Sequence, residues 1–347
     1  MARGGTCKQS ITIDRFLSAS GRNQKPGSLS PGVCFFLLLL LCAGCGRDHT
    51  VTGEFPDFIT ENEDYFTTRI GGIPEIDAET YRLSITGLVD RPGSFTLDEL
   101  YSLELTELPL TVECIGNWPN GYLVGTAVWK GFDLYDFLAS LEPDESATGV
   151  RYLAADGYYA SHTLEQLRDN QVTAALYMNE EVLPPNQGFP LRILSPGFYG
   201  VKQPAWVTEI EVIDRPLEDY WQDRGWDVSP PMDVDSKIFF PENRATLPAG
   251  VPVEIGGAAF GGTRIARVDV TTDGGTLWQE TEIVESMDAD NVWVFWKTTV
   301  VFLIPGTYTI SSRATDIHGN EQPEKDPYGL DGNNSRPGVM VDVTGWF

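Results

Sequence analysis

Leu110-Thr-Val-Glu-Cys114-Ile-Gly-Asn-Trp-Pro-Asn120 runs from a short apolar strand into a Gly/Asn/Pro turn, with one cysteine at the junction. A thiol placed there has three uses. It can fill space, because free cysteine is among the most buried side chains. It can act as a nucleophile, which needs a histidine base, and none lies near it in sequence. As a soft thiolate it can hold a transition metal. Two features favour chemistry over packing: Gly116 and Asn117 let a backbone approach a ligand closely, and an exported chain gains by avoiding unpaired thiols. His49, His162 and His318 lie far apart and offer no zinc-type spacing.

Whether that thiol is unpaired depends on the other four cysteines, Cys7, Cys34, Cys42 and Cys45, all of which precede residue 46. The run from Val33 to Cys42 is short for a membrane span and leads into Ala43-Gly44-Cys45, a small-residue cleavage pattern. The reading is a bacterial lipoprotein signal over residues 1–45, with Cys45 as the lipidated residue and a membrane anchor as the consequence. Removing residues 1–44 takes five basic residues and one acidic residue with it. That leaves 19 basic and 49 acidic residues, a net charge of −30. Such a surface repels phosphate backbones and excludes nucleic acid as a partner. With Cys45 acylated, Cys114 stands as a solitary thiol and no disulfide framework can form.

Several elements must position the thiol. Tyr81-Arg-Leu-Ser-Ile-Thr-Gly-Leu-Val89 alternates as a half-buried strand does, and Thr96-Leu-Asp-Glu99 has capping-box form and opens a short helix through Leu103. Gly131 to Leu141 places Leu134, Phe137, Leu138 and Leu141 on one helical face. Strands are expected at Val150–Ala155, Val172–Met178, Phe189–Leu194 and Trp206–Ile213, with a capped helix opening at Thr163. Short helices mixed with strands, without a regular βαβ period, describe an α+β domain over residues 46–232. Beyond the polar, Pro-rich stretch around Ser229-Pro-Pro231 only strand and turn signals remain. Residues 233–347 therefore read as an immunoglobulin-like sandwich of about seven strands.

Thr111-Val-Glu-Cys-Ile-Gly-Asn117 resembles the signature of the sulfite oxidase family of molybdopterin enzymes, in which that cysteine ligates molybdenum. Met178-Asn179, Leu183-Pro-Pro185, Gln187-Gly-Phe-Pro-Leu-Arg192, Pro196-Gly-Phe-Tyr-Gly200 and Trp206 follow the family's order, and Gly256–Gly262, Asp273–Trp278 and Arg313–Pro323 resemble its C-terminal sandwich. The resemblance runs from about residue 54 to the end. It implies a molybdenum-molybdopterin cofactor with Cys114 as the protein's metal ligand. Asn62, Tyr65, Phe66 and Arg69 fall where the family's N-terminal loop lines the cofactor. Asp156, Gln187 and Arg192 fall at further contact positions, and Lys202-Gln203-Pro204-Ala205 at the phosphate end. Arg192 and Lys202 suit a buried phosphate, which needs charge-assisted donors that an acidic chain must supply locally.

The departures bear on the substrate. Where sulfite oxidases carry an arginine just after the cysteine, this chain has Asn117-Trp118-Pro119. An arginine in the C-terminal aromatic run is absent from Trp293-Val-Phe-Trp296, and a proton-handling tyrosine is replaced around Gly225-Trp226. Of the cationic pocket Arg69 survives, so Arg69 and Cys114 are the catalytic candidates. Trp118 and Trp226 suit an apolar pocket for a neutral S-oxide or N-oxide, because a doubly charged anion desolvated without paired cations is costly. No Arg-Arg pair of the twin-arginine export type precedes the apolar run. The expectation is an exported molybdenum oxidoreductase acting on a small molecule, with a separate electron carrier such as a cytochrome and a homodimer by analogy. The alternative is a non-catalytic exported scaffold that keeps the fold.

Overall fold

The computed structural model describes residues 50–345 apart from 217 and 327. The leader and its proposed lipidation at Cys45 lie outside the described residues, as do Cys7, Cys34, Cys42 and His49. Strand β1 (Arg82–Gly87) buries Leu83 and Ile85 by alternation and is followed by β2 (Gly93–Thr96). Helix α1 (Leu97–Tyr101) begins on the expected capping box: the Thr96 hydroxyl accepts from the Glu99 N–H at 3.2 Å while the Thr96 N–H donates to Glu99 Oε2 at 2.7 Å. Then come β3 (Thr106–Glu113), β4 (Val124–Asp133), α2 (Leu134–Ala139), β5 (Gly149–Ala154) and β6 (Tyr159–Thr163). Helix α3 (Leu164–Asp169), capped by Thr163 and Gln166, precedes β7 (Thr173–Met178), β8 (Glu181–Val182), β9 (Arg192–Leu194) and β10 (Val207–Ile213).

These ten strands make two sheets. One has the order β2-β1-β10-β5-β6, with β1 and β10 parallel; the other is β3-β4-β7-β8, with β9 on β7. Their facing sides share one core, in which Leu83, Ile85, Tyr152 and Ile210 meet Phe132, Leu134, Leu176 and Ile193. The second sheet also buries its far side, where Leu110, Val112, Ala127 and Trp129 pack with Tyr65. That double burial explains the main departure from expectation. Residues 131–133, read as the start of a helix, are the end of β4, whose buried residues on both faces erase the alternation that marks a strand. The expected strand at 189–194 shortens to β9 because Pro185–Gln187 forms a 3₁₀ turn and Gly188 takes φ +117°.

The rest of the chain is a two-sheet sandwich of nine strands, against about seven expected. They are β11 (Asp235–Phe240), β12 (Ala245–Pro248), β13 (Pro252–Phe260), β14 (Ile265–Thr271), β15 (Gln279–Glu280), β16 (Glu282–Glu285), β17 (Val294–Val301), β18 (Gly306–Asp316) and β19 (Gly338–Thr344). Sheet orders are β11-β13-β17-β16 and β12-β19-β18-β14-β15, around a core that includes Val253, Ile255, Val268, Trp296, Ile310 and Val341. Edge strands as short as β15 and β16 are too brief to leave a sequence period.

All described residues belong to one compact unit, and the C-terminal end of β3 is tied to the sandwich. Thr111 accepts from the Trp293 N–H at 2.8 Å and its own N–H donates to the Asn291 carbonyl at 2.9 Å. At the end of β3 the Glu113 carboxylate meets the Lys237 ammonium at 3.4 Å, and Asp235 meets the same ammonium at 3.3 Å. All three are buried, and burial holds both carboxyls above the ordinary carboxylate range. One cation shared by two carboxylates is intolerant of losing that cation. Lys237→Met is therefore expected to lower unfolding free energy by about 3–5 kcal/mol. Denaturant titration checks this, and a loss below about 1 kcal/mol would mean the triad carries no such strain.

Candidate active site

The Cys114 turn is built from its own side chains. The Cys114 N–H donates to the Leu123 carbonyl at 3.0 Å, and the Asn117 N–H to the Cys114 carbonyl at 2.9 Å. Asn117 Nδ2 donates to Glu113 Oε1 at 2.8 Å, and Asn117 Oδ1 accepts from the Leu123 N–H at 3.2 Å. A Cβ at Gly121 would fall 2.2 Å from that oxygen, so glycine is required there. Asn120 Oδ1 accepts from the Ile238 N–H at 2.6 Å and ties the turn to β11. The side chains that anchor the turn, Asn117 and Asn120, both lie within ten residues of the cysteine.

The sulfur itself is half-buried and unpaired. Burial pushes the thiol up and the Glu113 charge adds to the rise, while the Gly116 N–H and the Thr68 hydroxyl favour the thiolate. A thiol so placed keeps its proton until a metal replaces it. Among the described residues no cluster of three or more His, Cys, Asp or Glu could hold a metal ion. A metal here needs most of its ligands from a cofactor.

The loop that reaches Cys114 through Thr68 is clamped from behind by Gln187. Its Nε2 lies 3.3 Å from the Tyr65 carbonyl, 3.2 Å from that of Phe66 and 3.2 Å from Thr67 Oγ1. Tyr65 and Phe66 stack with centroids 5.3 Å apart, and Tyr65 stands edge-on to Trp129. Arg192 lies behind Gln187: its Nη1 donates to the Gln187 carbonyl at 3.2 Å and to Oε1 at 3.1 Å, and its guanidinium is 5.1 Å from the Trp129 ring centroid. Its Nε is buried without a partner, and no carboxylate pairs with it among the described residues. Ser195 Oγ and Gln203 Oε1 are likewise buried and unsatisfied. Ala205 borders Gly188, whose Cβ would stand 2.8 Å from the Ala205 methyl. A part-buried guanidinium with a buried, unpartnered Nε and two idle polar atoms on one stretch of chain fit an anionic, hydrogen-bonding guest.

Three of the residues expected to line the cofactor are engaged elsewhere. Asn62 spends its amide on Met178, Glu181 and Asn179, latching the N-terminal loop to the β7–β8 turn. Lys202 is buried against Asp219, Nζ to Oδ2 2.6 Å, and also donates to the Ser161 carbonyl, so its charge is already matched. Asp156 accepts from the Tyr158 N–H at 3.0 Å across a turn in which Gly157 has φ +87°, the turn-residue role. Arg69 is exposed, one residue from the Thr68 that touches the sulfur. His162 is buried with Nδ1 3.1 Å from the Tyr152 hydroxyl, and burial together with the Lys202 charge holds it well below its ordinary pKa, hence neutral.

Sequence reasoning named Trp226 for an aromatic pocket but missed the rings that join it, Tyr158, Tyr220 and Trp221. Trp226 comes within 3.8 Å of a Cβ placed at Gly116, and Tyr158 lies close enough to Cys114 to feel a thiolate's charge. Tyr158, Tyr220, Trp221 and Trp226 follow one another ring to ring at 5.4, 5.4 and 6.2 Å. Trp118 does not join them and stands 75% exposed. The neighbouring Tyr220-Trp221 pair was the available signal, but it lay in the polar stretch taken as a boundary.

Comparison with known proteins places this geometry. Residues 70–221 match the oxidoreductase molybdopterin binding domain and residues 227–343 the Mo-co oxidoreductase dimerisation domain. Mitochondrial sulfite oxidase of Rattus norvegicus is 30% identical over 77% of this chain and 58% of its own length. Nitrate reductase [NADH] 1 of Phaseolus vulgaris is 29% identical over 77% of this chain and 38% of its own. The crystal structure of the sulfane dehydrogenase SoxCD from Paracoccus pantotrophus shares the fold with a TM-score of 0.71 at 23% identity, covering 82% of this chain and 84% of that one. The chain belongs to the sulfite oxidase family of molybdopterin-dependent oxidoreductases. It spans well under two thirds of the length of the curated relatives named.

Its cofactor is accordingly molybdenum-molybdopterin, and the residues present fit it: Cys114 would hold the metal, and Arg192, Ser195 and Gln203 would supply polar contacts to the pterin. When bound, that group supplies the oxygen-atom and two-electron chemistry, while this chain holds, orients and encloses it. Arg192→Leu is expected to cut pterin and molybdenum content at least about tenfold with circular dichroism unchanged, since a buried charge-assisted anion contact is lost. Released-pterin fluorescence and elemental analysis read this out. Full cofactor content in the folded variant would contradict the assignment.

Proposed function

We propose that this enzyme is exported and lipid-anchored, and that it moves an oxygen atom to or from a small uncharged sulfur or N-oxide compound, exchanging two electrons with a separate carrier such as a cytochrome. The observation that carries the substrate reading is the shortage of free positive charge beside Cys114. Lys237 and Lys202 are both neutralised by buried carboxylates. Arg224 lies 3.5 Å from the Tyr220 ring centroid, and Arg69 is exposed at the loop's edge. Against this thin cationic complement stands the ring-to-ring wall of Tyr158, Tyr220, Trp221 and Trp226. Such a wall receives a dipolar molecule with an apolar body, whereas a dianion entering it would lose hydration without matched partners.

Export and anchoring rest on the apolar run ending in Ala43-Gly44-Cys45 and on the acidic composition. A homodimer through residues 227–343 accords with the dimerisation-domain match.

A dye-coupled assay of the molybdenum-loaded protein against sulfite, sulfoxides and N-oxides tests the substrate reading. A sulfoxide or N-oxide is expected to exceed sulfite in kcat/KM by about 100-fold, equivalent to about 2.7 kcal/mol of transition-state binding. Trp226→Arg, which places a cation on the wall, is expected to narrow that gap. Sulfite emerging as the best substrate of the unaltered enzyme would overturn the reading.

A further inference from the structure

One end of the sandwich carries almost no charge. Residues 298–312 and 245–253 contain no Asp, Glu, Lys or Arg, in a chain that is 21% charged. The fold brings these stretches together: the Gly250 N–H donates to the Phe302 carbonyl at 2.8 Å, and Pro252 pairs with Val301 across β13 and β17. The β17–β18 turn projects from this end with Val301 46%, Leu303 61% and Ile304 70% exposed. It is braced: Phe302 is buried with its ring 4.8 Å from that of Tyr308, whose hydroxyl donates to the Ile304 carbonyl at 2.8 Å. The carboxylates bordering the cap, Asp342 and Glu254, are engaged by Thr307 and Lys297.

The chain enters the described fold at this same end. The Val51 N–H donates to the Pro252 carbonyl at 2.9 Å, the Glu254 N–H donates to the Val51 carbonyl at 2.8 Å, and Val51 forms a parallel bridge with Val253. Cys45 lies five residues before Thr50, so a lipid on Cys45 keeps Thr50 within about 18 Å of the bilayer. For a strongly acidic protein beside anionic headgroups, a charge-free face is the one that can approach without repulsion.

We infer that the cap formed by Val301, Leu303 and Ile304 seats on the lipid surface and sets the orientation in which the anchored protein stands. The inference rests on the anchoring of Cys45 proposed above. It gives the molecule two membrane contacts, the acyl group and an apolar tip, and two signals hold a peripheral protein far more firmly than one. It also fixes which end faces away: β18 runs eleven residues, about 36 Å, from the tip to Asp316 and the exposed Ile317.

The test uses full-length protein recovered from membranes. Intact mass reports acylation of Cys45 by itself. The protein is then reconstituted into vesicles of phosphatidylethanolamine and phosphatidylglycerol, with and without brominated acyl chains. Ile304→Trp adds emission at the tip, and Ile317→Trp adds it at the far end of the same strand. The difference signal of Ile304→Trp over wild type is expected to fall at least about twofold in brominated vesicles, with that of Ile317→Trp unchanged. Acylated protein whose Ile304→Trp signal is not quenched, or is quenched no more than that of Ile317→Trp, overturns the cap while leaving the anchor intact. A tip shielded because two chains pair through it gives that same unquenched result and also counts against the inference. Absence of any acyl group on Cys45 removes the anchor and the cap together.

Discussion

A metal held by one protein sulfur keeps a defined geometry only if the backbone on both sides of that sulfur is fixed. Here the constraint is met by a buried polar chain running from Asn117 through Glu113 to Lys237 and Asp235, then by Gln322 and Ser236 to Ser312. Inside a low-dielectric interior each of these contacts is strong, and each would be costly to leave unmade. The chain begins beneath the cysteine and ends in the sandwich, so the second half of the molecule is the footing on which the turn stands. The apolar joint of Ile115, Tyr199, Val201, Phe260, Trp293 and Phe295 seals the network from water.

Much of this was legible from sequence wherever a local rule decides. The Thr96 and Thr163 boxes cap their helices because a hydroxyl three residues from Glu or Gln satisfies the same orphan amides anywhere. The Cys114 turn was legible because Asn117 serves its own neighbours. What was lost were the cases in which a distant partner claims a side chain. That Asp219 is folded against Lys202, and that Asn179 and Glu181 reach Asn62, could not be read from the sequence. Strand β4 escaped notice because burial on both faces removes the period that betrays a strand. Trp226 was legible as a pocket residue, but its link to Tyr158 was not, because the two are far apart in sequence and are joined through Tyr220 and Trp221 only in the fold.

Electrostatics ties these features together. The chain carries a formal charge of −26, and two buried lysines among the described residues are matched by carboxylates. Lys237 serves Glu113 and Asp235, Lys202 serves Asp219, and Arg192 is left with amide and ring neighbours and an idle Nε. The one of these three cations without a carboxylate, the part-buried Arg192, lies behind the loop that approaches the sulfur through Thr68. A thiol at one end of that loop and an unmatched guanidinium at the other describe the two demands of an anionic cofactor that binds metal. The acidic exterior, in turn, leaves a charge-free sandwich end as the surface most compatible with a membrane.

The central claim is that the Cys114 sulfur is bonded to molybdenum. X-ray absorption at the molybdenum edge, on wild type and on Cys114→Ser loaded alike, counts the sulfur neighbours of the metal directly. The account predicts one fewer sulfur per molybdenum in the variant. An unchanged sulfur count, or folded wild type that takes up no molybdenum, would contradict it.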